Sequence, residues 1–95
     1  MATTKTIPYD SAEYLDNPEA LAAYLGDALA SGSAAEFQDA LNVVARARGM
    51  TEIAKASGLG RENLYNALRV DAHPRFDTIQ RVLNALGVQL DVRAA

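Results

Sequence analysis

The stretch TEIAKASGLGRENLYNAL, residues 51–68, decides the fold. Gly58 and Gly60 stand on either side of Leu59, and two glycines so close interrupt any single long helix. A phosphate-cradling loop would need Gly-x-Gly-x-x-Gly after a strand, or a following Gly-Lys-Ser/Thr, and neither is present. A corner between two short helices accounts for the stretch better. It needs a small residue where the helices touch (Ala54), a left-handed turn residue (Gly58), a core plug (Leu59) and an inward residue midway along the second helix (Leu64). Thr51 is expected to cap the first helix, and Gly60 to be an acceptable but weak cap for the second.

Outward from this corner the periodicity is helical. Asn17-Pro18 opens a helix with an N-cap and a proline at the first position, and Leu21, Tyr24, Leu25, Ala28 and Leu29 make its apolar stripe. Ser33 with Glu36 is a capping box for a second helix, striped by Phe37, Ala40, Leu41, Val44 and Ala45 and ended by Gly49. The corner occupies 51–69, and a last helix over 77–86 carries Ile79, Val82, Leu83 and Leu86 before Gly87. Val88, Leu90 and Val92 alternate with polar residues, the period-two pattern of a half-buried strand. The expectation is an all-α, five-helix domain over 18–95 with a short C-terminal β-strand at 88–92. Residues 1–17 are expected to form an N-terminal arm and a short turn, with Asp10 and Glu13 as a weak capping pair.

Composition narrows the function. The 95 residues contain no cysteine, which excludes disulfides and thiolate zinc sites, and His73 is alone, so no metal is expected. No apolar run approaches the roughly 18 residues of a membrane span, and the N-terminus lacks the apolar core of a signal peptide, so a cytoplasmic protein is expected. No nucleophile–base spacing supports catalysis, and neither an enzyme nor a cofactor is expected. The net charge of −3 hides a division. Residues 1–45 carry seven acids and one base, whereas residues 46–95 carry eight bases and five acids. Such a split suggests two surfaces with different partners.

The span from Ala54 to Val88 resembles the phage-repressor-like helix-turn-helix family, including Pro74-Arg75-Phe76 and the closing ALGV at 85–88. Nearly the whole chain, from Tyr9 to Val92, resembles the HigA-type antidote proteins of bacterial addiction modules. The pieces that carry this are YDSAEYLDNPEALAAYL at 9–25, ALNVVARARGMTEIAKASGL at 40–59, ENLYNAL at 62–68, and Pro74 with DTIQRVLNALG at 77–87. The resemblance implies an antitoxin of a type II module that neutralises a RelE/HigB-type toxin and represses its own operon. Gly60 departs from the pattern, because many relatives place a capping serine there.

With Leu64 and Leu68 turned inward, Arg61, Glu62, Asn63, Tyr65, Asn66 and Arg69 point outward or sideways. Arg61 suits guanine, Asn66 adenine, and Glu62 either cytosine or the orientation of Arg61. Thr51, Arg69 and Arg75 are better placed for phosphates of double-stranded operator DNA. Arg46 and Arg48, late in the second helix, read at least as well as complements to its dipole as they do as DNA-backbone contacts. The acidic half suits a basic toxin, with Asp10, Glu13, Asp16, Glu19 and Asp27 as charges and Tyr9 and Tyr14 as aromatic anchors. Tyr24 reads as core. Two-fold operators imply a homodimer, through residues 88–92 or through the last helix. A stand-alone repressor without a toxin is the alternative, and a pure protein-interaction module a third class.

Overall fold

The computed structural model describes residues 17–69 and 71–95. Five helices follow one another: α1 (Pro18–Ala30), α2 (Ala34–Arg48), α3 (Met50–Ser57), α4 (Arg61–Leu68) and α5 (Phe76–Leu86). Helix α2 is the organising element, packing against α1, α3 and α4, while α3 also touches α4 and α5. Leu21, Leu41, Val44, Ile53, Leu64, Leu68, Val82 and Leu86 are almost fully enclosed where the five meet. Each such side chain stabilises the fold by about 1.5–3 kcal/mol.

The helix starts follow sequence chemistry with two amendments. The Asn17 side chain accepts hydrogen bonds from the backbone N–H groups of Glu19 and Ala20, at 2.8 and 3.1 Å. Ser33 Oγ accepts from the Glu36 N–H at 3.2 Å, but the Ser33 N–H donates to Ser31 Oγ, not to Glu36. Only half of the expected capping box forms. Thr51 is not a cap either. Helix α3 starts at Met50 with Gly49 as its cap, because Gly49 closes α2 and opens α3 in one step.

The decisive corner is built by backbone conformation. Gly58 takes φ 76°, ψ 13°, the left-handed region, with its N–H bonded to Lys55 O and the Leu59 N–H bonded to Ala54 O. That pair of bonds is the Schellman closure of a helix end. Gly60 takes φ 79°, ψ 155°, a combination essentially confined to glycine. Gly60 is the N-cap of α4, as expected, and it offers no side-chain hydrogen bond; what the sequence does not reveal is that the position demands glycine, since a serine at this φ and ψ would be strained. Leu59 is half-buried against the core, as a plug should be.

The expected C-terminal strand does not form. Residues 88–92 are irregular, and the described residues contain no strand at all. A strand needs a ladder partner, and this tail has none within the described chain. The alternation also fails as a burial pattern: Val88 packs on the core, but Val92 is 94% exposed. Apart from Asn17, the expected N-terminal arm and turn lie outside the described residues.

Replacing Gly60 with alanine tests the corner. No atom lies within 4 Å of where its Cβ would sit, so any loss comes from backbone strain and not from collision. The expected cost is about 1–3 kcal/mol in denaturant unfolding; an unchanged midpoint would show that the corner tolerates an ordinary residue. A second check uses Tyr24, whose phenol is raised above its ordinary value of 10 by burial and then by the nearby Asp39 carboxylate. The stability this contributes is fully present below pH 10 and is lost as pH rises through the higher folded-state value. Near-ultraviolet titration should therefore find a tyrosine that ionises above pH 10 in the folded protein, and Tyr24→Phe should remove it.

Candidate nucleic-acid interface

Helix α4 presents its polar face because its two leucines, Leu64 and Leu68, are buried one turn apart. Arg61, Glu62, Asn63, Asn66 and Arg69 are exposed and Tyr65 is half-buried. Asn63, Asn66 and Arg69 line an open cleft of about 490 Å³ together with His73, Pro74 and Thr78 from the loop and the start of α5. Thr51 and Arg75 are exposed but line no part of that cleft.

How α4 is held was not legible beforehand. Helices α3 and α5 end in glycines that satisfy their last carbonyls, but α4 ends at Arg69 in an extended conformation. Its free carbonyls are taken by side chains of α2 instead. Gln38 Nε2 donates to Ala67 O at 2.6 Å and to Arg69 O at 3.3 Å, and Asn42 Nδ2 donates to Leu68 O at 3.0 Å. Gln38 is buried, which a primary amide tolerates only when its hydrogens are used. Sequence reading passed over Gln38 and Asn42 because they flank the apolar stripe of α2. Their partners lie 26 to 31 residues away. The available signal was the i, i+4, i+8 polar row Gln38, Asn42, Arg46.

The late arginines of α2 also serve other helices. Arg48 Nη1 donates to Leu86 O at the end of α5, at 3.4 Å. Arg46 Nε donates to Asn42 Oδ1 at 2.7 Å, and its guanidinium sits 5.6 Å from the centroid of the Tyr65 ring. Arg61 lies 5.5 Å from the same ring and donates through Nη2 to the Tyr65 hydroxyl at 3.1 Å. Arg69 and Arg75 instead pair with Asp71 and Asp77, two residues along, at 3.8 and 3.3 Å. Both pairs are exposed, so each is worth about 0–1 kcal/mol at most. They do not bar a phosphate, but they cancel local charge.

The opposite charge lies elsewhere. Residues 17–45 carry Glu19, Asp27, Glu36 and Asp39, all exposed, and no base. Glu19 and Asp27 are on α1; Tyr9, Asp10, Glu13, Tyr14 and Asp16 fall outside the described residues. Gly26 and Leu29 of α1, Phe37, Leu83 and Leu90, together with Gln89, Asp91 and Arg93, line a groove of about 1070 Å³. Among the described residues no group of histidines and carboxylates is arranged to hold a metal, and no helix is long and apolar enough to cross a membrane.

A family described as "Probable addiction module antidote protein" matches residues 5–94, and the chain belongs to it. An uncharacterized protein of Haemophilus influenzae is 38% identical over 85 residues, covering 90% of this chain and 88% of that protein. No solved structure matches the chain.

Asn42→Ala should leave the Leu68 carbonyl without its partner and lower stability by about 1–3 kcal/mol. The loss should appear as faster amide exchange in α4 than in α1. Uniform acceleration in all helices would contradict the assignment of Asn42 as the clip on α4.

Proposed function

We propose that this member of the antidote family is the antitoxin of a type II module, binding and neutralising a RelE/HigB-type toxin and repressing its own operon as a homodimer on operator DNA. The observation that carries the reading is the outward face of α4, polar along its length and clamped to α2 at its C-terminal end. Under this reading α3 and α4 act as a helix-turn-helix, with α4 entering the major groove. Asn63 and Asn66 read base edges, since an amide can bond an adenine bidentately. Arg69, Arg75 and Thr51 hold phosphates, with a modest penalty for displacing Asp71 and Asp77. Glu62, which makes no ion pair with Arg61, is left to accept from a cytosine.

Toxin binding belongs to the acidic half. A toxin that acts on messenger RNA is basic, and Glu19 and Asp27, with Tyr9, Asp10, Glu13, Tyr14 and Asp16 earlier in the chain, steer it and cover its RNA-binding residues. Separating the two signs of charge along the chain lets one subunit hold both partners. A stand-alone repressor would have no use for this second surface, and family membership favours the module.

Two variants separate the surfaces. Asn63→Ala with Asn66→Ala should weaken binding to DNA from upstream of the gene about thirtyfold or more, at about 1–3 kcal/mol per lost base contact, while toxin neutralisation is retained. Glu19→Lys with Asp27→Lys should do the reverse, read by co-purification with the product of the adjacent gene. Loss of both activities in either variant, with the helical fold intact, would refute the two-surface reading.

A further inference from the structure

Two arginines from different helices, Arg46 and Arg61, converge on the ring of Tyr65. Among the described residues, Arg69, Arg75 and Arg93 each pair with an aspartate, whereas neither Arg46 nor Arg61 lies within ion-pair distance of any carboxylate. Their partners are neutral: the Asn42 amide oxygen, the Tyr65 hydroxyl and the Tyr65 ring. Such partners fix the two side chains in place without cancelling their charge.

The unused hydrogen-bonding capacity is specific. Arg46 commits Nε to Asn42 and keeps both Nη groups. Arg61 commits Nη2 to Tyr65 and keeps Nη1 and Nε. The Tyr65 oxygen accepts from Arg61 and keeps its own O–H to donate. The result is a set of donors carrying two positive charges, on side chains that are exposed for both arginines. An oxyanion with several oxygens is the complementary ligand, because guanidinium groups bond such oxygens in pairs.

We infer that Arg46, Arg61 and Tyr65 form a clamp for one backbone phosphodiester of DNA on the flank of α4. This rests on the DNA-binding reading above and adds a contact outside the recognition helix. It also moves Arg61 from base reading to backbone holding, since its side chain lies back along α4 toward Tyr65, one turn on. Tyr65 is then a positioning residue as well as a donor, and Arg46, placed by Asn42, links the clamp to the same side chain that caps α4.

The test is the salt dependence of binding to two duplexes of equal length, one from upstream of the gene and one unrelated. Arg46→Gln should weaken both by a similar factor and make the slope of log K against log salt shallower by about one. Arg46→Lys should restore most of that slope. Arginine Nε–H resonances of Arg46 and Arg61 should also shift together when inorganic phosphate is added to the free protein, and less so in Tyr65→Phe. An unchanged slope in Arg46→Gln, with the unaltered protein binding DNA normally, would overturn the clamp alone. A loss confined to the upstream duplex would make Arg46 a base reader and overturn it too. Weakened toxin binding with DNA binding spared would assign the anion to the toxin. Failure of the unaltered protein to bind either duplex would defeat the DNA reading itself.

Discussion

The rest of the structure depends on how α4 is finished. An eight-residue helix is too short to be stable alone, and its last carbonyls must find donors. The ends of α3 and α5 solve this with glycine, through bonds from Gly58, Leu59, Gly87 and Val88 back into the last turn. Helix α4 has no such glycine, and the Gln38 and Asn42 amides supply the donors from α2. The consequence is mechanical as well as energetic. Capping by another helix ties the orientation of α4 to the long helix behind it, so the outward row of Asn63 and Asn66 sits on a rigid support.

The same row of α2 carries charge to the site. Asn42 caps α4 with its nitrogen and holds Arg46 with its oxygen, so one amide couples helix termination to placement of a cation. Arg46 and Arg61 meet at Tyr65, while the arginines at 69 and 75 are neutralised by nearby aspartates. A basic balance in the second half of the chain therefore says little by itself about where positive potential is strongest. The partners of each arginine decide it. Among the described residues, Glu19, Asp27, Glu36 and Asp39 enter no ion pair.

Much of the fold was legible in the sequence because its causes are local. Asn17-Pro18, Ser33, Gly58 and the leucine spacings act within a few residues, and each element they predict is present within a residue or two. The failures have physical reasons. Alternation at 88–92 states a preference for extended backbone, but a strand also needs a partner, and the described chain provides none. Gly60 caps α4 as its residue type suggests, but the demand for glycine there lies in φ and ψ, which residue type does not reveal. Gln38 and Asn42 were missed because their partners are carbonyls of another helix, which residue type does not reveal. The site was half legible: periodicity nominated the face of α4, but the convergence of Arg46 and Arg61 on Tyr65 needs three dimensions.

In the proposed complex DNA meets α4 and its flank, while Glu19 and Asp27 of α1 remain available to a protein partner. The most direct measurement is a nuclear magnetic resonance titration of the labelled protein with the duplex from upstream of its gene. Shifts of the Asn63 and Asn66 side-chain amides and of the Arg46 and Arg61 Nε–H groups are expected, with Glu19 and Asp27 unmoved. Shifts concentrated on α1, with α4 silent, would contradict that arrangement.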